Sequence, residues 1–322
     1  MGKHLLQLVH KKNRKGALEI SFGWLFAIIA GIAIIFAAIY ISSKLIGSSQ
    51  ETISAETGKE ISILLNPLET SFESAQTTSI TIPTETRINN ICDDFGAFGR
   101  QGIRLDQKSF GKWVNTNTMV YINNKYLFSE SMIEGKKFYL FSKPFNFPFK
   151  IADLIYMTSS TKKYCFVDAP YEVINDISNL NQSNILFENC SDKTVNICFN
   201  QAGCAINVNL DSKTVKKNKT TVYFSGMNED NYALMYAAIF SDKENYECQV
   251  TRLLLRLKEV SNLYKEKIIS LQGIGCTDTL SASLDNLESF IGNSTTSKDL
   301  DEIAVKAAEV EEINNAGVCL VW

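Results

Sequence analysis

The chain has 322 residues, 45% of them apolar, and a formal net charge of −3 that conceals a division of sign. Residues 1–44 carry Lys3, Lys11, Lys12, Arg14, Lys15 and Lys44 against Glu19 alone, so the part from Leu45 onward holds 26 Lys and Arg against 34 Asp and Glu, a net of −8. That acidic remainder argues against a nucleic-acid partner; because the two histidines are His4 and His10, it also excludes Ser-His-Asp, Cys-His and histidine-ligated metal chemistry beyond them.

Residues 1–16 form a basic leader too polar to be the apolar core of a secretory signal. Residues 17–41 follow with Glu19 near the start and no further charge, and at helical rise they reach about 37 Å, enough to cross a hydrocarbon layer of about 30 Å. A transmembrane helix is predicted. The basic cluster ahead of it places the N-terminus in the cytoplasm and the C-terminal part outside, in an extracellular setting.

The order of these features, with Lys11, Lys12, Arg14 and Lys15, then Gly16-Ala17-Leu18-Glu19, then an unbroken apolar helix, resembles the leader and N-terminal helix of archaeal type IV pilin-like proteins. The resemblance covers about fifty residues. It implies export by the general secretory route, a peptidase site, and a role for Glu19 in pairing with the N-terminal amine of a neighbouring subunit. The sequence departs from the family at the cut. With Glu19 as fifth mature residue the preceding residue is Arg14, where the family has a small one; a cut after Gly16 makes Glu19 the third. Cleavage and a permanently retained leader are both open.

Gly23, Ala27 and Gly31 recur at spacing four, on one helix face. Small residues so placed let a second helix approach closely, which offers a homo- or hetero-oligomer contact within membrane lipid, although Gly and Ala are also ordinary in membrane helices. Over residues 42–66 the apolar positions thin to one stripe (Leu45, Ile46, Ile53, Ile61, Leu64, Leu65) that ends at Pro67. This reads as a stalk helix, or alternatively as a Ser/Thr/Gly linker over 47–58.

Residues 67–322 are expected to form an α+β head, β-rich over 77–225 and helical over 230–316. Alternation and β-branched or aromatic residues mark strands at Ser79–Ile82, Val120–Ile122, Tyr126–Phe128, Phe138–Phe141, Ile151–Met157, Tyr164–Val167, Ile185–Glu188, Val195–Phe199, Ala205–Leu210 and Thr220–Phe224. Asn123-Asn124-Lys125 reads as a hairpin turn between two of them, and Asn200–Gly203 as another turn. Pro144–Phe149 reads as an ordered connection packed on the core, or else as an aromatic binding patch. Tyr232–Phe240 is apolar and ambiguous. Tyr246–Leu271 repeats apolar residues at three and four, as an amphipathic helix does. Two shorter helices follow, one begun by Asp278 and one from Leu300 with Thr296 and Asp299 as an N-terminal capping pair.

All eight cysteines, Cys92, Cys165, Cys190, Cys198, Cys204, Cys248, Cys276 and Cys319, follow the apolar segment, as in a disulfide-bonded extracellular domain. Of the 105 pairings, Cys276 with Cys319 is plausible, as is a short link among Cys190, Cys198 and Cys204. Asn181, Asn189, Asn218 and Asn293 head Asn-x-Ser/Thr triplets, which would make a glycoprotein. Paired carboxylates at Asp93-Asp94 or Glu229-Asp230 are the remaining route to hydrolysis, and Asn228–Asn231 could offer oxygens to calcium, but exposed turns explain both groups better. No catalytic residue, metal or other cofactor is expected. The sequence reads as a single-pass cell-surface protein acting in surface structure, adhesion or assembly. A ligand- or glycan-binding module is the alternative and a carboxylate-based hydrolase the third reading, with membrane lipid and a surface glycan or protein as partners.

Overall fold

The computed structural model describes residues 22–69, 76–93, 96–109, 111–122, 124–188, 190–226, 232–273, 275–276, 280–293, 296–317 and 319–322. The leader and Glu19 lie outside them. Two compact units divide the chain, residues 1–49 and residues 50–322.

The helix α1 (Phe22–Glu69) begins in the first unit and opens with 24 residues, Phe22–Leu45, of mean hydropathy 2.6. Those residues reach about 36 Å at helical rise, long and apolar enough to span a bilayer. Their large side chains, Trp24, Ile35 and Phe36 among them, are exposed. A helix apolar on all sides needs an apolar medium around it. The backbone of 42–66 falls within α1, and the helix passes Pro67 to end at Glu69 where the sequence suggests a stop. Pro67 lies two residues before that end, where it forgoes one backbone hydrogen bond.

The second unit is mixed α and β, built on two six-stranded sheets. The first comprises β1 (Gln76–Asp93), β2 (Arg100–Ser109), β3 (Lys112–Ile122), β4 (Tyr126–Phe128), β5 (Met132–Asn146) and β6 (Lys150–Ser159), in the order β3-β2-β1-β5-β6-β4. Asn123–Lys125 is therefore not a hairpin turn: it joins the two edge strands, and β4 pairs parallel with β6. Three residues bridge at most about 14 Å, whereas the edges of a flat six-stranded sheet lie about 24 Å apart. The sheet must curl at that end. Its concave face holds an apolar cluster set by register, with Ile88 opposite Leu105, Ile80 opposite Phe138, Leu140 opposite Met157 and Leu127 opposite Ile155.

The second sheet comprises β7 (Tyr164–Val167), β8 (Ile185–Leu186), β9 (Val195–Phe199), β10 (Ile206–Asn209), β11 (Thr214–Lys217) and β12 (Thr220–Tyr223), ordered β12-β11-β10-β9-β7-β8. A parallel pair needs a crossover. Between β7 and β8 it is α2 (Tyr171–Ser178), a helix too short for its period to stand out, which buries Val173 and Ile177.

The ambiguous apolar run is α3 (Ala233–Phe240), buried at every residue. It packs on β4, β5 and β6 of one sheet and β11 of the other, which is why it shows no polar face. Tyr156 and Tyr236 carry hydroxyls into this core, and each donates, Tyr156 to the Ala233 carbonyl at 2.8 Å and Tyr236 to the Asp176 carboxylate at 2.9 Å. Phe145, Phe147 and Phe149 are 3%, 0% and 3% exposed, so Pro144–Phe149 packs in the core and is not an aromatic patch on the surface, but its first three residues end β5 and only the rest connects to β6.

The amphipathic helix is α4 (Lys243–Gln272), followed by α5 (Ser281–Asn293) and α6 (Leu300–Ala316). Asp278 lies outside the described residues. Thr296 and Asp299 form the reciprocal capping box, on a single 3-10 turn that leads into α6. Four disulfides brace the unit: Cys92–Cys248, Cys165–Cys190, Cys198–Cys204 and Cys276–Cys319. Cys276 pairs with Cys319, the plausible pairing that brackets the two shorter helices. Of the Cys190, Cys198 and Cys204 group, only the last two join each other.

Candidate ligand cleft

A cleft of about 360 Å³ opens where the first turns of α4 meet the end of β1, lined by Asn89, Asn90, Ile91, Cys92, Arg104, Ser131, Glu244 and Asn245. The β1–β2 register sets Asn89 opposite Arg104. Asn89 Nδ2 donates to Asp106 Oδ2 at 2.8 Å, and Arg104 Nε stands 3.5 Å from Asp106 Oδ1. The wall from β1 and β2 thus presents an amide and a guanidinium whose charge is balanced by a nearly buried carboxylate.

Asp242 positions the opposite wall. As N-cap of α4 it accepts from the Asn245 backbone N–H at 2.9 Å, and its other oxygen accepts from the backbone N–H and hydroxyl of Ser131. An Asp at this position satisfies one of the four backbone donors a helix start leaves open. Here it also ties the helix to the β4–β5 connection. Asn245 Nδ2 donates to the carbonyls of Ser129 at 2.8 Å and Leu127 at 3.3 Å. One turn on, Cys248 is bonded to Cys92 in the same wall. Three ties within seven residues fix this end of α4.

Behind the cleft lies a chain of buried amides. Asn90 Nδ2 donates to Ser129 Oγ at 2.7 Å, Gln101 Nε2 donates to Asn90 Oδ1, and Gln249 Nε2 donates to Gln101 Oε1. Arg252 closes the series: its Nη1 reaches Gln249 Oε1 at 2.8 Å and the Lys125 carbonyl at 2.9 Å, and its Nε reaches the Phe98 carbonyl at 3.0 Å. Burial pushes the Arg252 guanidinium below its ordinary value, and the neighbouring Tyr126 and Asp93 oppose the shift. Removing one member would leave a buried donor or acceptor unpaired. Three buried atoms here have no hydrogen-bond partner, Arg252 Nη2 in this network and Asn245 Oδ1 and Arg104 Nε on residues that line the cleft.

Chemically the cleft offers amides and one charge of each sign. The Ser131 hydroxyl is engaged by the helix-capping carboxylate of Asp242. Among the described residues no group of His, Cys, Asp or Glu is placed to hold a metal ion, and all eight cysteines are in disulfides.

The residues singled out from sequence lie elsewhere. A methyl group added at Gly23 or Gly31 would meet no described atom within 4 Å, and Ala27 is exposed. Asn181 and Asn218 are exposed turn residues with φ of 49° and 52°. Asn293 is the last residue of α5, and Asn189 lies outside the described residues. Asp93 is ion-paired with Arg100 at 3.0 Å, while Asp94 and Asn228–Asn231 lie outside the described residues. None of these lines the cleft. The sequence around the cleft carries two signals: Asn89-Asn90, which line it, interrupt a strand, and Gln249 and Arg252, which lie behind it, interrupt the apolar face of α4. No family model, curated protein or solved structure matches the chain.

Proposed function

We propose that this is a membrane-anchored, exported surface protein whose α+β head acts by recognition or assembly and not by catalysis. The observation that carries the reading is the order along the chain: basic residues, a segment apolar enough to span a bilayer, then an acidic domain that keeps all eight cysteines in disulfides. Disulfides persist in oxidising compartments, and positive residues stay on the cytoplasmic side. In this reading the lower half of α1 serves as a stalk. The pilin-like leader and the Gly23, Ala27, Gly31 face supply assembly with partner subunits, and the cleft supplies ligand recognition.

Protease treatment of intact cells, with alkylation of the unreduced protein, tests it. The expected result is digestion of the head and no modified thiol. A protected head, or eight reactive thiols, refutes the reading. Intact mass separates the finer alternatives: loss of residues 1–14 or 1–16 supports pilin-like processing, and retention of the leader removes it.

A further inference from the structure

We propose that Asn218 is an N-glycosylation site whose glycan stands at the open end of an edge strand of the second sheet. The inference rests on the exported head proposed above, since it needs a transferase and a lipid-linked glycosyl phosphate donor on the outer side of the membrane.

Local geometry selects this triplet among the four in the sequence. Asn218 and Lys219 form the turn between β11 and β12, Thr220 opens β12, and all three residues are exposed, with no proline at the middle position. Asn218 takes a φ of 52°, the left-handed conformation that asparagine tolerates at the tip of a turn. The base of the hairpin is fixed. Lys217 turns inward, where its amine donates to the carbonyls of Ile239 and Ser241, and Lys213 pairs with Asp301 at 2.8 Å. The Thr220 hydroxyl donates within the turn, to the Lys217 carbonyl at 3.0 Å. A transferase can therefore reach the amide and the hydroxyl together without opening the fold.

The Asn181 triplet is tied into the head instead. Gln182 is 6% exposed and its Nε2 donates to Thr77 Oγ1 at 3.0 Å and to the Leu140 carbonyl at 3.3 Å, while the Ser183 hydroxyl lies 2.6 Å from that of Tyr139. Presenting it means breaking contacts to β1 and β5. Asn189 and Thr295, the third residue of the Asn293 triplet, lie outside the described residues.

Transfer forms a bond from Asn218 Nδ2 to the anomeric carbon of the donor and breaks the bond between that carbon and the phosphate oxygen. The lipid phosphate leaves with the electron pair, and the amide proton passes to base. The product is bulky and hydrated, and its position gives it work. β12 ends the sheet order, and an edge strand offers its backbone to pairing with another chain. At Tyr223 the backbone N–H donates to Ser297 Oγ at 3.0 Å, which covers that end, whereas Thr220 at the other end is exposed beside Asn218. A glycan there hinders a second chain from adding a strand.

The test digests the full chain purified from its own cells and reads the peptides by mass spectrometry. The Asn218 peptide should carry a glycan, at higher occupancy than the Asn181 peptide. Thr220→Ser keeps the triplet and should keep the added mass; Thr220→Val suits a strand, should leave the unfolding midpoint near that of the parent, and should lose the mass. Asn218→Asp tolerates the left-handed turn, should lose the mass, and should associate in detergent at lower protein concentration than the parent despite its added charge. An unmodified Asn218, higher occupancy at Asn181, or a glycan retained in Thr220→Val overturns the assignment, and unchanged association of Asn218→Asp overturns the role at the edge. A head digested on intact cells with Asn218 unmodified leaves the surface reading standing and removes only this one, whereas a protected head removes the surface reading itself.

Discussion

The four disulfides close loops of very different length, and their removal should cost stability in that order. Cys92–Cys248 spans 156 residues, Cys276–Cys319 43, Cys165–Cys190 25 and Cys198–Cys204 only 6. Constraining the unfolded chain through loops of these lengths gives about 5, about 4, about 3.5 and about 2 kcal/mol at 25 °C. The first value is an upper bound, since two of the other bridges lie inside its loop and shorten the free chain. Against a whole-domain stability of about 5–15 kcal/mol, losing Cys92–Cys248 is the most severe of the four. Each pair is replaced by alanine, and urea unfolding of the full chain in detergent is followed by tryptophan fluorescence. The expected ranking places Cys92/Cys248→Ala last in midpoint and Cys198/Cys204→Ala nearest the parent. Equal losses for these two variants would refute the loop-closure reasoning and assign the stabilisation to native contacts instead.

Asp242→Ala removes a helix cap and the acceptor for Ser131, and a loss of about 2–3 kcal/mol is expected in the same urea assay. Phe147→Ala empties a fully buried aromatic site and should cost about 3–5 kcal/mol. Lys217 gives a pH signature. Burial lowers its amine from 10.5 to about 7, and the neutral amine still donates to the carbonyls of Ile239 and Ser241. Below about pH 7 both states hold the proton and this contribution is flat. Between about 7 and 10.5 the unfolded chain binds a proton that the folded chain lacks, so stability rises with pH. Unfolding midpoints read across that window should climb in the parent, and the parent-minus-variant difference for Lys217→Met should carry the slope; identical profiles would place the amine in solvent. Burial raises Tyr156, Tyr164, Tyr236 and Tyr246, so above pH 10 the folded state keeps protons that the unfolded chain loses and stability falls in both proteins.

What could be read ahead of the structure was whatever one segment decides alone. Tyr126–Phe128, Tyr164–Val167 and Val195–Phe199 match their strands residue for residue, because alternation and β-branching are local signals. The capping box at Thr296 and Asp299 is local too. Pairing is not. Asn123–Lys125 has the composition of a hairpin turn, yet β3 and β4 each find partners elsewhere, and only curling of the sheet brings them together. β2 (Arg100–Ser109) escaped notice because Arg104, Asp106 and Lys108 sit on its outer face, where charge reads as loop. On that face Asp106 takes the amide of Asn89 while Lys108 pairs with Glu85 at 2.9 Å. One of the polar residues that hid the strand, Arg104, lines the cleft, and Asp106 stands beside it.

The cleft was illegible for a related reason. Asn89 and Asn245 lie 156 positions apart, and no spacing rule connects an amide on β1 to one on α4. What the sequence does contain is a local inconsistency: Gln249 and Arg252 at positions where the period of α4 calls for apolar side chains. A helix that gives up two apolar contacts must recover their stabilisation elsewhere, and here it does so through hydrogen bonds to Gln101, Lys125 and Phe98. Such a layer is useful mainly for what it holds still, since well-packed apolar residues would contribute as much stability. Replacing Gln249 and Arg252 together by Leu and Met takes these donors from Gln101 Oε1 and from the Lys125 and Phe98 carbonyls, and should cost at least about 2–3 kcal/mol in the urea assay while loosening the cleft. Amide exchange at Ser131 and Asn245 measures that loosening directly. Exchange as slow as in the parent would show that the disulfide and the Asp242 cap suffice, and that the buried amides serve packing alone.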